Sequence, residues 1–339
     1  MQAHNAAREG SLDASAEMVS WFLKEAKAPL RMDERKIGDH KYFICSSGFE
    51  DETGLVVVCG RGLTKLQAAT RCIGEWLERK AVFEFFRSSS DTILAINIRV
   101  HENGDLISKG EIETPLLPME FWTTNGWAIH TDLKQAQESA LAEALERSLL
   151  MSSFLRWGWQ GLIEINRLSV DQIEFQSCIS RYKTDQFSAG FAISRNLDAP
   201  GLSFGHFSEK SDRILQSPKW TQALYESADK FEAHLDRDQI KDPIAVDVEW
   251  YMKHGDRIDL ADDKTLQEKF KFSSFCLHVE NLAAKWNLPF PLYSAFAFGG
   301  DLMPLFLPRE LSSSGRDLVT SIGKSLGFEA VIPKRTPIL

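Results

Sequence analysis

The chain has 339 residues, 43% of them hydrophobic and 26% charged, enough for one large domain or two modest ones with proper cores. A formal net charge of −9 argues against non-specific binding to nucleic acid, which needs a basic footprint, and the longest apolar runs, such as Leu55 to Val58, are strand-sized, so neither a membrane span nor an export signal is expected. The five cysteines (Cys45, Cys59, Cys72, Cys178 and Cys276) are odd in number and form no CxxC pair, which argues against a disulfide framework or a zinc knot and for buried thiols in a reducing cytoplasm.

Residues 1–30 read as a polar tail and a short amphipathic helix from Ala14 to Lys27, with Met18, Trp21 and Phe22 inward and Pro29 as its stop. No Pro- or Ser-rich linker divides residues 31–339, so they are expected to form one domain. Lys41 to Cys45 and Leu55 to Cys59 alternate as strands around a loop, SSGFEDETG, and a glycine turn at Gly60 to Gly62 leads into a long helix. Thr92 to His101 is a further strand. Phe121 to His130 reads as a strand or hairpin that ends where Thr131-Asp132 starts a second long helix, running to about Phe154. Strands are expected near Phe187 to Ile193, Leu202 to Phe207, Ile244 to Tyr251 and Pro291 to Phe298. Helices are expected after Ser217-Pro218, around Lys264 to Lys269 and from Arg316 to Leu326. The class is α+β.

The chain repeats itself. A shift equal to the difference between Gln67 and Gln135 lines up Gln67-Ala68 with Gln135-Ala136, Glu75 with Glu143, Leu77 with Leu145, and Glu78-Arg79 with Glu146-Arg147. A fainter copy is QALYESADK, in which Glu226 matches Glu143 and Asp229-Lys230 stand where Glu146-Arg147 do. Residues advance about 100° each around a helix, so both glutamates of a pair lie about 60° apart on one face and can point at one target. In the first helix the opposite face carries Leu66, Ala69, Ile73 and Leu77, the pattern of an ordinary surface helix with a solvated acidic side. In the second, Leu141, Leu145 and Leu149 form a stripe while Ala136, Ala140 and Leu150 place apolar groups beside Glu143 and Glu146, so those glutamates are expected to sit against protein.

Carboxylates gathered without partners repel, so such a constellation needs cations, either Arg79 and Arg147 or a divalent metal. Hard oxygen donors select Mg²⁺ or Ca²⁺, and Mg²⁺ held by carboxylates usually brings phosphates with it. A di-iron bundle would need Glu-x-x-His, which none of the four glutamates supplies. Gly323-Lys324-Ser325 imitates the end of a P-loop, but Leu318 stands where its first glycine is required. Trp157, Trp159 and the FEFF run at Phe83 to Phe86 read as core or subunit contact, and His130 and His206 are the histidines placed to approach a pocket.

With these residues in view the chain resembles the YcaO family of ATP-dependent enzymes that modify peptide backbones. GRGLTKLQA looks like that family's entry to its first helix, Glu75-x-x-Glu78-Arg79 like its first S-x-x-x-E-x-x-E-R block, and Ser139-x-x-x-Glu143-x-x-Glu146-Arg147 matches the second block in full. TTNGWAIH resembles the TNG-containing approach to the second block, and AAKWNLPFPLYSAFAFGG the family's late strand. The resemblance implies a YcaO-like fold of sheets packed with long helices. Glu75, Glu78, Glu143 and Glu146 would be Mg²⁺ ligands, and Arg71, Arg79, Ser139, Arg147 and Glu226 would lie on the nucleotide or as carboxylate partners. The implied activity is ATP- and Mg²⁺-dependent activation of a backbone amide in the maturation of a ribosomally made peptide. Its product would be an azoline, by cyclodehydration at Cys, Ser or Thr, or a thioamide. The cofactors are ATP and Mg²⁺, the partners a precursor peptide and a protein that delivers it, and a homodimer is the default assembly. No side chain is singled out as catalytic.

Three departures stand out. Arg71 replaces the serine of the first block; in QALYESADK, which sits where the family places a third block, Asp229 and Phe231 fall where glutamine and arginine are common; and VIPKRTPIL replaces a PxPxP tail. They motivate the alternative that the chain is a degenerate scaffold subunit that binds a partner or peptide without turning over ATP.

Overall fold

The computed structural model describes residues 16–26, 28–37, 40–51, 54–88, 91–100, 106–118, 121, 124–157, 162–170, 173–184, 187–196, 202–209, 272–306 and 311–332. The expected helices after Ser217 and around Lys264, the strand at Ile244 to Tyr251, Trp159, and the third block with Glu226, Asp229 and Phe231 lie outside the described residues. The chain divides into two compact units, each drawn from three stretches. One comprises Met1–Ser89, Trp127–Ala140 and Val279–Phe296; the other comprises Ser90–Gly126, Leu141–His278 and Ala297–Leu339. Helices and antiparallel strands mix throughout, the α+β class the sequence implied.

The first unit opens with helix α1, residues 16–21 running into a π-helical turn at Phe22–Ala26. Met18 and Phe22 are buried as expected, and Trp21 meets Phe290 edge-on with ring centroids 5.7 Å apart. Strands β1 (Arg31–Ile37), β2 (His40–Asp51) and β3 (Gly54–Gly62) form an antiparallel sheet in that order. Two expectations are corrected. Most of SSGFEDETG is strand, since β2 runs on to Asp51 and β3 begins at Gly54. Gly60 to Gly62 is no turn but the end of β3, where helix α2 (Lys65–Ser88) lies directly on the strand. A Cβ on Gly60 would overlap the Cys72 amide nitrogen and the Ala68 carbonyl oxygen, and one on Gly62 would stand 2.7 Å from the Ala68 nitrogen. Only glycine permits that approach.

Helix α2 starts with a reciprocal cap: the Gln67 amide donates to Thr64 Oγ1 (3.2 Å) and the Leu63 amide to Gln67 Oε1 (3.1 Å). Its buried face (Ala68, Ala69, Cys72, Ile73, Trp76, Leu77) packs on Cys45 and Val58 of the sheet; Leu66, expected on that face, is exposed. Strand β6 (Trp127–His130) pairs with the later strand β12 (Tyr293–Phe298), Trp127 opposite Phe296. Trp127 is fully buried, stacked on Phe296 at 4.6 Å with Phe85 of the FEFF run edge-on at 5.0 Å, so Phe85 is core as expected. Burying a side chain of this size contributes about 1.5–3 kcal/mol. Between β11 (Ser274–Asn281) and β12, helix α4 (Leu282–Trp286) ends at Asn287, whose left-handed φ of 51° closes it.

Helix α3 (Leu133–Trp157) begins in the first unit and, from Leu141, continues in the second. Asp132 caps it, Oδ1 accepting from the Gln135 amide at 2.9 Å. Asp132→Ala is expected to cost about 1 kcal/mol, the usual value of such a cap. Urea unfolding checks this: the midpoint should fall with an unchanged slope.

In the second unit β4 (Thr92–Val100) pairs antiparallel with β5 (Leu106–Pro115) on one side and with β11 (Ser274–Asn281) on the other. Strands β7 (Leu162–Val170), β8 (Ile173–Thr184), β9 (Phe187–Asn196) and β10 (Leu202–Glu209) form an antiparallel meander. Helix α5 (Ser313–Ser325) carries Ser312 as its N-cap. Of the strand or hairpin expected at Phe121 to His130, β6 is the strand among the described residues. Among the described residues no helix is long and apolar enough to cross a membrane.

Candidate functional site

The two acidic pairs lie on the two longest described helices, and along each helix the same offsets place four side chains on one face. On α2 they are Arg71, Glu75, Glu78 and Arg79; on α3 they are Ser139, Glu143, Glu146 and Arg147. The helix backbone sets this spacing, so each pair can present two carboxylates side by side.

The environments differ. On α2, Glu75 accepts from Arg79 Nε at 2.8 Å one turn away, with the two side chains 32% and 39% exposed, a half-solvated pair of the i,i+4 kind. Glu78 is half-buried beside it. On α3 Glu146 and Arg147 approach to 3.8 Å and are only 13% and 19% exposed, as expected for glutamates set against protein. The reason lies in the helix, which from Ser148 to Ser152 is buried on every side. The expected stripe Leu141, Leu145, Leu149 is only partly inward: Leu149 is buried and the other two half-buried, whereas Ala136, Ala140 and Ala144 are buried. Arg147 Nη1 is buried and, among the described residues, has no hydrogen-bond partner. A guanidinium N–H left so costs about 1–3 kcal/mol or more until it meets an acceptor.

The TNG segment reaches this part of α3. Gly126, at a φ of 78°, backs onto the helix: a Cβ there would lie 3.2 Å from Ala144 Cβ, next to Glu143, and overlap the Ala297 carbonyl oxygen. The Ala297 amide in turn donates to the Gly126 carbonyl at 2.8 Å. Ser148 Oγ, one residue beyond Arg147, accepts from the Met303 amide at 2.8 Å.

Arg71 donates through Nη1 to the Arg61 carbonyl oxygen at 2.7 Å, a bond that ties α2 to the end of β3. Ser139 is exposed on α3. Among the described residues no three His, Cys, Asp or Glu side chains are gathered closely enough to chelate a cation, so within either unit the donor set is a carboxylate pair. His130 is exposed, its Nδ1 accepting from the Asp132 amide at 2.9 Å, a local turn contact. Of the thiols expected to be buried, Cys45 and Cys72 are, Cys276 is half-buried, and Cys59 is exposed because it faces away from α2 on β3. A hydrogen bond with Cys45, reinforced by burial, pushes the Cys72 thiol up, which keeps it neutral and unreactive.

No family model matches the chain, and no curated protein sequence matches it. Solved structures do. YcaO from Methanopyrus kandleri, bound with AMPPCP and Mg²⁺, superposes with a TM-score of 0.52 at 12% identity over 95% of each chain. The E. coli microcin synthetase McbBCD complex matches with a TM-score of 0.50 at 12% identity, over 80% of this chain and 87% of that one. A heterocyclase in complex with substrate and cofactor gives 0.55 at 11% identity over 91% of this chain, which spans about half (54%) of the heterocyclase. At such identities the likeness is one of fold. The chain has the YcaO fold that its motifs implied.

Proposed function

We propose that this chain uses its YcaO fold as an ATP- and Mg²⁺-dependent enzyme that activates a backbone amide of a ribosomally made peptide, with a partner protein delivering the peptide. The observation that carries the proposal is Arg147, a cation among the buried residues of α3 whose Nη1 has no acceptor among the described residues, beside two half-buried carboxylates on the same helix face. Phosphate oxygens complement the guanidinium, and a divalent cation complements the carboxylates. The donor set therefore fits a metal-bound nucleotide, the kind of ligand held by the Methanopyrus protein.

On α3, Glu143 and Glu146 would be Mg²⁺ ligands, and on α2, Glu75 and Glu78 would be; Arg147, Arg79, Ser139 and Arg71 would serve the phosphates, and Glu226 would lie elsewhere on the nucleotide. ATP supplies, when bound, the phosphoryl group that makes a poor amide-oxygen leaving group a good one. The chain's own contribution is position and charge: helix faces that fix the carboxylates, and a water-poor setting around Arg147 in which its charge acts at full strength. The product is an azoline or a thioamide, and the peptide's entry depends on the partner.

Calorimetric titration with a non-hydrolysable ATP analogue and Mg²⁺ tests the proposal. Wild type should bind with micromolar affinity and Glu143→Gln should not. One observation favours the scaffold alternative: Arg71 stands where the first block has serine, and its guanidinium is engaged by the Arg61 carbonyl. A wild type that fails to bind the analogue would select that alternative.

A further inference from the structure

Asp and Glu outnumber Lys and Arg in this chain by 48 to 39, yet one surface of the first unit gathers lysines. The first turn of α2 lies over Gly62, whose partner across the ladder is Phe43. Beyond Phe43 on the same side of the sheet, Lys41 of β2 and Lys36 of β1 are exposed and stand directly opposite each other. Like charges so placed destabilise a sheet. Lys65, at the start of α2, joins them: its Nζ lies 5.8 Å from the centre of the Phe43 ring, and Lys41 Nζ lies 5.3 Å from it. Glu34, opposite Phe43, takes Lys41 at 2.7 Å, so this end of the face sets one carboxylate among three lysines. Asp51, on the same side, lies at the far end of β2, and Arg31, Asp33 and Arg35 alternate to the opposite side. Two leucines border the lysines: Leu63, next to Gly62, is 61% exposed, and Leu66, next to Lys65, is 41% exposed.

We infer that this patch holds an acidic, leucine-bearing stretch of the peptide substrate, away from the amide to be activated; this rests on the peptide-modifying reading above. The lysines complement carboxylates, and the leucines complement apolar side chains set between them. A nucleic acid would match the lysines alone and leave Leu63 and Leu66 against phosphate. The chain's net charge of −9 turns an acidic segment away from the rest of the surface, which directs it here. The patch is also within one peptide's reach of the candidate site. Lys65 and Glu75 lie on the same helix, about 15 Å apart along its axis at about 1.5 Å per residue. About five residues of extended chain span that distance. Binding energy collected on such a remote stretch can be spent on positioning the reacting amide.

Fluorescence anisotropy of the full-length protein with a labelled peptide of alternating leucine and glutamate tests it. Wild type should bind this peptide, more weakly as salt is raised, and should not bind its counterpart with lysine in place of glutamate. Lys36→Glu and Lys65→Glu should each weaken binding by about tenfold, and Leu63→Ser should weaken it as well. Lys36→Glu also turns a like-charge cross-strand pair into an opposite-charge one, so it should melt at or above the wild-type temperature, and its lost binding cannot be put down to a damaged fold. Lys109→Glu, exposed on β5 of the second unit, should leave binding unchanged. The ATP analogue should bind all these variants as it binds wild type. A wild type that takes the analogue but not the peptide therefore overturns the patch alone, whereas one that takes the peptide but not the analogue keeps the acidic-peptide site and sinks the nucleotide reading. Peptide binding indifferent to both lysine reversals, or tighter binding of a single-stranded oligonucleotide, would also overturn the inference.

Discussion

Gly60→Ala is expected to destabilise the first unit by about 4–5 kcal/mol, although it adds a single methyl group. The carbon would overlap backbone atoms of α2 at Cys72 and Ala68 and stand 2.8 Å from the Arg71 carbonyl carbon. Backbone cannot rotate aside as a side chain can, so relief requires α2 to lift from β3. That would open the contact that buries Cys72, Ile73 and Trp76. Ordinary overpacking costs about 1–3 kcal/mol, and a shift of a whole helix exceeds that, towards the 4–5 kcal/mol that marks exceptional substitutions. Against a typical total stability of about 5–15 kcal/mol, such a loss removes a large share of what holds the fold. Gly74→Ala is the control. It lies on the same helix, nothing stands within 4 Å of its added carbon, and removing a mid-helix glycine should stabilise by about 0.5–1 kcal/mol. Thermal melts by circular dichroism compare the two. A Gly60→Ala protein that melts with the wild type would mean that the helix does not sit on the strand.

The same glycines show where sequence reading stops. A turn and a close backbone approach both demand glycine, and GRG before a helix suits either; only β3 running straight through Gly62 decides between them. Helices α2 and α3 were legible because their signals are local: Asp132 marks the start of α3, and apolar spacing marks part of each inner face, such as Ala69, Ile73 and Leu77 of α2. Strand β1 was not, because five of the seven residues in RMDERKI are charged and leave no alternation to read. Strand β7 was lost for another reason: a bulge between Glu164 and Asn166 breaks the period of two. Within the candidate site, the repeat placed both acidic pairs on long helices correctly and foresaw that the second lies against protein. It could not foresee that Arg71 would take the Arg61 carbonyl, a contact made across ten residues of chain.

Arg147→Met should lower affinity for the Mg²⁺-bound ATP analogue by about 100-fold or more, close to the 2–4 kcal/mol that a buried charge-assisted contact to an anion supplies. Its effect on stability is expected to have the opposite character. If the guanidinium is kept for a ligand, the apo protein carries it at a cost, with Nη1 buried and no acceptor among the described residues. Methionine of similar length removes that cost, so the unliganded variant should melt at or above the wild-type temperature. If instead Arg147 serves only to neutralise Glu146, 3.8 Å away and equally withdrawn from solvent, its removal leaves a buried carboxylate uncompensated, which typically costs 3–5 kcal/mol. Calorimetric titration and thermal denaturation of the same protein therefore separate the two roles. Lost binding with preserved stability assigns Arg147 to the nucleotide, whereas lost stability with binding retained in the folded fraction assigns it to the helix. Arg147→Lys sharpens the comparison, because lysine keeps the charge near Glu146 but cannot offer two parallel N–H groups to a phosphate. It should hold the wild-type melting temperature and still bind the analogue more weakly.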